Sequence, residues 1–193
     1  RITSYGVDDA LWLARRLGMQ QVFGPALEEL SGVALLSRFP ITDSDTAQLA
    51  SELEQTAIVH ARVRLGTPAP DAGEAIDAEP LLDAYATWLG LEPDERARQL
   101  QDALRVIGDA TPAVLGGDFN ATPGSPTYEA IQGAGFVDPF AAAGLHGAPT
   151  SPATNPEERI DFVWARRLDA RDAQVRESLA SDHRMVVVEF ALP

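Results

Sequence analysis

The chain of 193 residues is long enough to fold around one buried core, and we predict a single domain over residues 1–193. It contains 29 acidic and 15 basic residues, which gives a formal charge of -14 at neutral pH. This balance disfavours a protein that binds duplex nucleic acid, because such binding depends largely on positive side chains that neutralise phosphates. Cysteine is absent, which excludes disulfides, thiol nucleophiles and thiolate metal sites.

Four elements are predicted in the first part of the chain. Apolar residues at helical spacing predict a helix over 7–17, and Gly18 is a suitable residue to end it. The apolar run 33–37 predicts a short buried strand. Alternation over 57–65 predicts a half-buried strand, whereas the segment 66–80, rich in glycine, proline and acidic residues, predicts a loop.

The central part of the chain alternates strands with helices. Residues 81–88 predict a strand, and a helix is expected to begin at Pro93. Its expected inner face consists of Ala97, Leu100, Leu104 and Ile107. Ser125 and Pro126 predict the start of another helix, which ends near Ala134. This interleaving of strands and helices predicts layered α/β architecture.

The most informative segment is GGDFN, residues 116–120, which follows the short apolar run 113–115. We expect the strand to break at the two glycines and to present Asp118 and Asn120 at its end. A carboxylate can accept a proton or hold a cation, and a carboxamide can donate to a phosphoryl oxygen without adding negative charge. Alone, however, an Asp-x-Asn sequence after two glycines is more often a turn whose side chains satisfy local backbone groups.

Two later segments contain further polar side chains next to apolar runs. Alternating apolar and polar residues around Asp161 predict a strand that contains this carboxylate. Asp182 and His183 precede the last apolar run of the chain. Taken alone, Asp161 could face solvent or pair with Arg159, and the Asp-His sequence could be a cap or a solvated pair.

Together the three segments, GDFN at 117–120, RIDF at 159–162 and SDH at 181–183, resemble the endonuclease/exonuclease/phosphatase family of metal-dependent phosphoesterases. Residues 32–41, GVALLSRFPI, are similar to a strand typical of the same family. One motif alone would be a weak match, but all three occur in the family's order. The resemblance implies a DNase I-like fold, a four-layered α/β/β/α sandwich in which two mixed sheets lie face to face.

Two features depart from the family pattern. The family begins with a strand that contains an Asn and a second strand that contains a Gln-Glu pair, whose Glu is its principal metal ligand. We expect this N-terminal part to be missing before Arg1. In addition, Trp88 lies where the family has a histidine that contacts the scissile phosphate. Tryptophan donates one hydrogen bond but cannot carry a positive charge, so the reaction is expected to be weakened or altered.

The resemblance implies a role for each polar residue of the three motifs. Asp118 would orient or deprotonate the attacking water, and Asn120 would hold a phosphoryl oxygen. His183 would bind the phosphate from the other side, while Asp161 fixes its tautomer and raises its pKa. Asp182 would help to hold the metal. We expect all five side chains to converge on one site, with Mg²⁺ or Mn²⁺ as the cofactor because the donors are hard oxygens.

The expected function is metal-dependent hydrolysis of phosphate monoesters or diesters by in-line attack of water. The acidic charge favours a phosphorylated small molecule or a lipid-linked phosphoester over nucleic acid, and we expect the chain to act as a monomer. The alternative is a non-catalytic member of the family that binds phosphoesters or serves as an interaction module. Neither a signal peptide nor an apolar run of roughly 18 residues is visible, and the localisation stays unknown.

Overall fold

The computed structural model describes residues 2–4, 7–27, 31–53, 55–66, 80–145 and 147–191. The elements in chain order are β1 (Ile2–Ser4), β2 (Val7–Asp8), α1 (Asp9–Leu17), β3 (Gln20–Pro25), β4 (Gly32–Ser37), β5 (Ile41–Gln48), β6 (Ala57–Arg64), β7 (Leu81–Trp88), α2 (Pro93–Ile107), β8 (Ala113–Asp118), α3 (Pro126–Gly133), α4 (Pro139–Ala142), β9 (Asp161–Arg166), β10 (Ala170–Arg176) and β11 (Met185–Phe190). Most of the loop predicted over 66–80 lies outside the described residues. In this described part, no helix combines the length and apolarity needed to cross a bilayer.

The strands β5, β6, β7, β8 and β9 form a mixed central sheet in that order. The neighbours β7 and β8 are parallel, and the other neighbouring pairs are antiparallel. In this register Trp88 lies opposite Asp118, and Asp118 lies opposite Asp161. One edge of the sheet therefore brings together the last residues of two strands and the first residue of a third.

The predicted break at Gly116 and Gly117 was wrong, because β8 continues through both glycines to Asp118. Glycine is required at position 117 by close approach of the neighbouring strand: a Cβ there would lie 1.8 Å from the carbonyl oxygen of Thr87. Gly117 thus lets β8 pack tightly beside β7 to its end. The consequence is that Asp118 is held on strand backbone rather than on a free turn.

The larger part of the core lies between the central sheet and helices α2 and α3. Aromatic rings dominate it beneath β8 and β9: Phe162 stacks on Trp164 with centroids 5.2 Å apart, and Tyr128 of α3 lies 4.8 Å from Trp164. The side chains of Leu115 and Ile131 are fully buried in the same cluster. This packing anchors the strands that end at the sheet edge described above.

The predicted inner face of α2 was partly wrong, since Ala97 is exposed and Gln99 is fully buried instead. The carboxamide of Gln99 accepts a hydrogen bond from the backbone of Gly90 at 2.7 Å and donates to Ser51 Oγ at 3.0 Å. The buried backbone N–H of Gly90 needs an acceptor, and the polar side chain of Gln99 provides it on the inner face of α2. Leu100 and Ile107 are buried as predicted.

The opposite face of the central sheet is covered by the antiparallel pair β3–β4. Ala61 and Val63 of β6 are buried against Val22 and Leu35 of this pair, in agreement with the alternation predicted for 57–65. The second antiparallel pair, β10–β11, lies beside β9 and α4. Outside the central sheet, the described strands form three separate antiparallel pairs, β1–β2, β3–β4 and β10–β11.

The predicted helix over 7–17 begins two residues later, at Asp9. Val7 and Asp8 instead pair with β1, and the Asp8 side chain caps the helix by accepting from the backbone N–H of Leu11 at 3.0 Å. Gly18 ends the helix in the left-handed conformation, as predicted. With helices on the outside and sheet layers between them, the chain has the α/β/β/α sandwich architecture.

Candidate active site

Three polar side chains meet at the edge of the central sheet. Asp118 ends β8, Asp161 begins β9, and His183 precedes β11. The Nδ1 atom of His183 lies 3.0 Å from Asp161 Oδ2 and 4.0 Å from Asp118 Oδ2. One ligand atom from each of the three residues lies within 4.8 Å of the others. Three of the five residues that we expected to converge thus form one acid–base group at this edge.

Thr150 fixes the start of β9 relative to the segment that contains His183. Its buried hydroxyl accepts from the backbone N–H groups of Ile160 and Asp161, at 3.2 and 3.3 Å. Its carbonyl oxygen accepts from the backbone N–H of Arg184 at 2.7 Å. One residue thus holds the backbone next to Asp161 and the backbone next to His183, which explains why the two side chains meet.

Asn120 lies beside this group but is held by local contacts. Its backbone N–H donates to Asp118 Oδ1 at 2.9 Å, and its side-chain Nδ2 donates to the carbonyl oxygen of Leu89 at 2.7 Å. Its φ of 47° is in the left-handed region, which asparagine tolerates better than most residues. These contacts agree with a local turn at Asp118 and Asn120, while Asp118 Oδ2 still faces His183 at 4.0 Å. The role of Asn120 in holding a phosphoryl oxygen stays a prediction.

Asp182 is exposed, and its carboxylate is hydrogen-bonded with the hydroxyl of Ser181 at 3.2 Å. Its backbone carbonyl accepts from the N–H of Ala153 at 2.6 Å, which holds this segment against the loop before β9. The carboxylate is outside the group formed by Asp118, Asp161 and His183. The role of Asp182 as a metal ligand stays a prediction. Its negative charge helps to raise the pKa of Asp118 and of His183.

Arg159 does not pair with Asp161. It is buried and forms an ion pair with Asp138, which also accepts a hydrogen bond from the Tyr128 hydroxyl at 2.9 Å. The guanidinium lies 4.5 Å from the centroid of the Phe162 ring. Because Arg159 is bound to Asp138, Asp161 has no basic partner other than His183 among the described residues.

The electrostatics of the group follow from one histidine facing several carboxylates. Burial raises the pKa of Asp118 to about 6, with an opposing contribution from the Asn120 N–H and a further increase from the charge of Asp161. Burial acts to lower the pKa of His183, but the hydrogen bond to Asp161 and the nearby carboxylates outweigh it and raise that pKa above its ordinary value. The site therefore has an excess of negative charge.

The donor set fits a hard divalent cation. Two carboxylates provide oxygen ligands, and Mg²⁺ is commonly held in proteins by one or two carboxylates together with water and substrate. Both ring nitrogens of His183 have protein partners, Asp161 at Nδ1 and Ser151 at Nε2. Asp118 and Asp161 are therefore the residues that would hold the ion, and the Nε2 side of His183, next to Ser151, is the side that a substrate could approach.

Ser151 is a site residue that the sequence analysis missed. Its Oγ lies 3.0 Å from His183 Nε2, although it belongs to none of the three motifs. Its only sequence signal is proximity to the RIDF strand, which does not distinguish it from neighbouring hydroxyl residues. Trp88, by contrast, was identified in advance, and the sheet register places it half-buried next to Asp118.

The chain thus has an α/β/β/α sandwich scaffold. At one edge of its central sheet lie a His–Asp pair and a second carboxylate. A profile of the Endonuclease/Exonuclease/phosphatase family matches residues 5–183, so the chain belongs to this family. The family consists generally of hydrolytic phosphoesterases. No curated protein sequence matches the chain.

Solved structures similar to the chain include three with different descriptions. An endonuclease/exonuclease/phosphatase from Bacteroides vulgatus has a TM-score of 0.75 at 18% identity, over 94% of this chain and 79% of that one. A mannosyl-6-phosphatase from Bacteroides thetaiotaomicron has a TM-score of 0.64 at 17% identity, over 95% and 82%. A 3′ phosphatase from Neisseria, bound to a product DNA hairpin, has a TM-score of 0.65 at 16% identity, over 95% and 83%. At these identities the likeness establishes the fold.

Proposed function

We propose that this protein is a Mg²⁺- or Mn²⁺-dependent phosphoesterase that hydrolyses phosphate monoesters or diesters by in-line attack of water. The observation that supports it is the group of Asp118, Asp161 and His183, in which two carboxylates and an imidazole converge without an Arg or Lys partner among the described residues. A bound cation would supply charge stabilisation for the phosphoryl oxygens.

Each polar residue of the site has its own role in the proposed reaction. Asp161 accepts from Nδ1–H of His183 and holds the ring so that Nε2 faces the substrate. His183 donates a hydrogen bond from Nε2 to a phosphoryl oxygen. Asp118, whose carboxylate is close to both, orients the attacking water and accepts its proton. Asn120 holds the backbone of Leu89 and fixes the Asp118 side chain through its own N–H.

For the substrate we propose a phosphorylated small molecule or a lipid-linked phosphoester, which the protein binds as a monomer. The chain has a formal charge of -14, which opposes the accumulation of a polyanion at its surface. The similar structures include one described as a mannosyl-6-phosphatase and one bound to a product DNA hairpin, so the fold alone does not decide between these substrate classes. The net charge favours the smaller one.

The test is turnover of bis(p-nitrophenyl) phosphate by the full-length protein with MgCl₂, with MnCl₂ and with EDTA. Turnover with either metal, absent in EDTA and absent in Asp161→Asn, is the expected result. A panel of a sugar phosphate, phospholipid vesicles and supercoiled plasmid then identifies the substrate class. The absence of turnover with both metals across the whole panel would contradict the proposal, and preferential nicking of plasmid would contradict the substrate class.

Trp88 supports a second candidate function, a family member that binds phosphoesters without hydrolysing them. Trp88 pairs with Asp118 in the sheet register, at the position where the family has a histidine, and its indole provides no positive charge. The decisive variant is Trp88→His in the full-length protein. If the chain is an enzyme limited by this residue, we expect kcat to rise by about 10²-fold, the lower end of the range for general acid–base effects. Phosphate binding without turnover in both forms would favour the binding function.

A further inference from the structure

Ser151 is the outer member of a chain of hydrogen bonds that begins at Asp161. Asp161 Oδ2 lies 3.0 Å from Nδ1 of His183, and Nε2 of the same ring lies 3.0 Å from Ser151 Oγ. The proposed function assigns Nε2 to the phosphoryl group. The Ser151 hydroxyl therefore lies where a phosphoryl oxygen must approach.

The backbone of Ser151 is held firmly, although its side chain is only half-buried. Its N–H donates to the carbonyl oxygen of Glu158 at 3.0 Å, and its own carbonyl accepts from the N–H of Glu157 at 2.8 Å. The adjacent Thr150 is fully buried and ties the same segment to Arg184. The position of the Ser151 hydroxyl relative to His183 is thus determined by the fold, while its proton can rotate.

A hydroxyl group is both a donor and an acceptor, and this permits two bonds at Ser151. When Nε2 of His183 carries a proton, Ser151 Oγ can accept from it and still donate its own proton to another oxygen. When Nε2 lacks a proton, the hydroxyl can donate to the ring. Ser151 Oγ and His183 Nε2 lie 3.0 Å apart, so when a phosphoryl group replaces their mutual hydrogen bond, the hydroxyl and Nε2–H can each donate to one of its oxygens.

The surroundings of the two donors differ on their two sides. The carboxylates of Asp118 and Asp161 lie on the Nδ1 side of the ring. Ser151 Oγ lies at Nε2, on the opposite side of the ring. An anionic group that approaches Nε2 and Ser151 meets hydrogen-bond donors there, whereas the carboxylates on the other side of the ring favour a cation.

We propose that Ser151 is a phosphoryl-binding residue, whose hydroxyl donates to a non-bridging oxygen of the phosphoryl group held by His183 Nε2. The inference rests on the proposed phosphoesterase function and deepens it, since it adds a substrate contact that none of the three motifs contains. Ser151 forms no covalent bond in the reaction: water attacks phosphorus, and the hydroxyl keeps its oxygen and proton.

The experiment compares wild-type full-length protein with Ser151→Ala, Ser151→Thr and a matched control, Ser178→Ala. Ser178 is a half-buried serine whose hydroxyl accepts only from the Ala180 N–H among the described contacts. Calorimetry with inorganic phosphate in MgCl₂ gives the dissociation constant, and steady-state kinetics give kcat/KM. We expect Ser151→Ala to weaken phosphate binding and kcat/KM by about tenfold each, the effect of one hydrogen bond to a charged group.

Ser151→Thr, which keeps the hydroxyl, and Ser178→Ala are expected to behave like the wild type. If the wild type hydrolyses phosphoesters and Ser151→Ala matches it in phosphate affinity and kcat/KM, the role of Ser151 is overturned while the function stands. If no form hydrolyses any phosphoester, the titration still decides, since equal binding or no binding by wild type and Ser151→Ala overturns the role. A phosphoserine trapped at Ser151 by acid quenching also overturns it, because the residue would then be a nucleophile.

Discussion

Two aspartate–histidine pairs use strands of the same central sheet, but their surroundings are opposite in charge. His60 Nε2 lies 2.7 Å from Asp83 Oδ1, and the guanidinium of Arg62 donates to both oxygens of that carboxylate. His183 binds Asp161 at 3.0 Å and faces a second carboxylate, Asp118, at 4.0 Å. The first group contains its own cation, and the second contains an additional anion.

The pKa values of the two groups respond in opposite directions. Burial acts to raise the pKa of Asp83, but the hydrogen bonds from Arg62 and His60 outweigh this effect and lower that pKa below its ordinary value. Burial and the neighbouring carboxylate raise the pKa of Asp118 to about 6. We call the Asp83 group compensated, because its carboxylate is balanced by Arg62, and such a group stabilises the fold. The Asp118 group is uncompensated, and its excess negative charge is balanced only when a ligand brings positive charge. The two pairs thus differ in charge balance rather than in residue types.

The largest expected effect separates the two groups by activity. Asp118→Asn should lower kcat for an aryl phosphodiester by about 10³-fold, because it removes both the water-orienting carboxylate and a cation ligand. The same change should raise the free energy of unfolding at pH 7, since a carboxylate with a raised pKa is ionised there at a cost to the folded state. Steady-state kinetics and urea unfolding measure the two quantities. Retention of more than a tenth of wild-type kcat would contradict the role of Asp118.

The compensated group should show the reverse behaviour. Asp83→Asn should lower the free energy of unfolding by about 3 kcal/mol, because Arg62 and His60 lose the buried carboxylate that binds both of them. Its kcat should stay at the wild-type level under conditions where the protein is folded. Urea denaturation of this variant, with the exposed Asp109→Asn as the control, measures the effect. Equal stability of the two variants would show that the charge balance around Asp83 is unimportant.

Mg²⁺ should stabilise the protein through the uncompensated group alone. At a free concentration of ten times its dissociation constant, an ion that binds only the folded state adds about 1.4 kcal/mol to the free energy of unfolding. Wild type and Asp83→Asn should both gain this increment, whereas Asp161→Asn should not. Thermal melts with MgCl₂ and with EDTA provide the measurement. An equal gain in Asp161→Asn would locate the cation elsewhere.

The smallest expected effect is the pH dependence of the Asp83 contribution. Because the folded-state pKa of Asp83 is lowered, its contribution is fully present above the unfolded-state pKa of about 3.9 and is lost as pH falls through the folded-state pKa. The difference in unfolding free energy between wild type and Asp83→Asn should therefore decrease between pH 7 and pH 3. Urea titrations at several pH values measure this difference, and a gap that widens on acidification would reverse the assigned sign.

Much of the fold could be predicted because its signals are local. The strand β7 over Leu81–Trp88 and the capped start of α3 at Ser125 and Pro126 agree with the sequence prediction. The errors have tertiary causes. Ala97 was placed inward by periodicity alone, whereas the fold requires the carboxamide of Gln99 to satisfy backbone groups of other segments. Likewise, the glycine pair was interpreted as a break because the close approach of β7 has no sequence signal.

The sequence by itself determined the ordered set of polar residues that indicated the family and three members of the site, Asp118, Asp161 and His183. Their chemistry depends on residue type, which a motif records directly. The tertiary structure alone decided that Ser151 lies at Nε2 of His183 and that Arg159 binds Asp138 instead of Asp161. These contacts join segments that are distant in the sequence, and the buried Thr150 and the aromatic core hold those segments together. Such distances arise only when strands pair and pack, so no local pattern contains them.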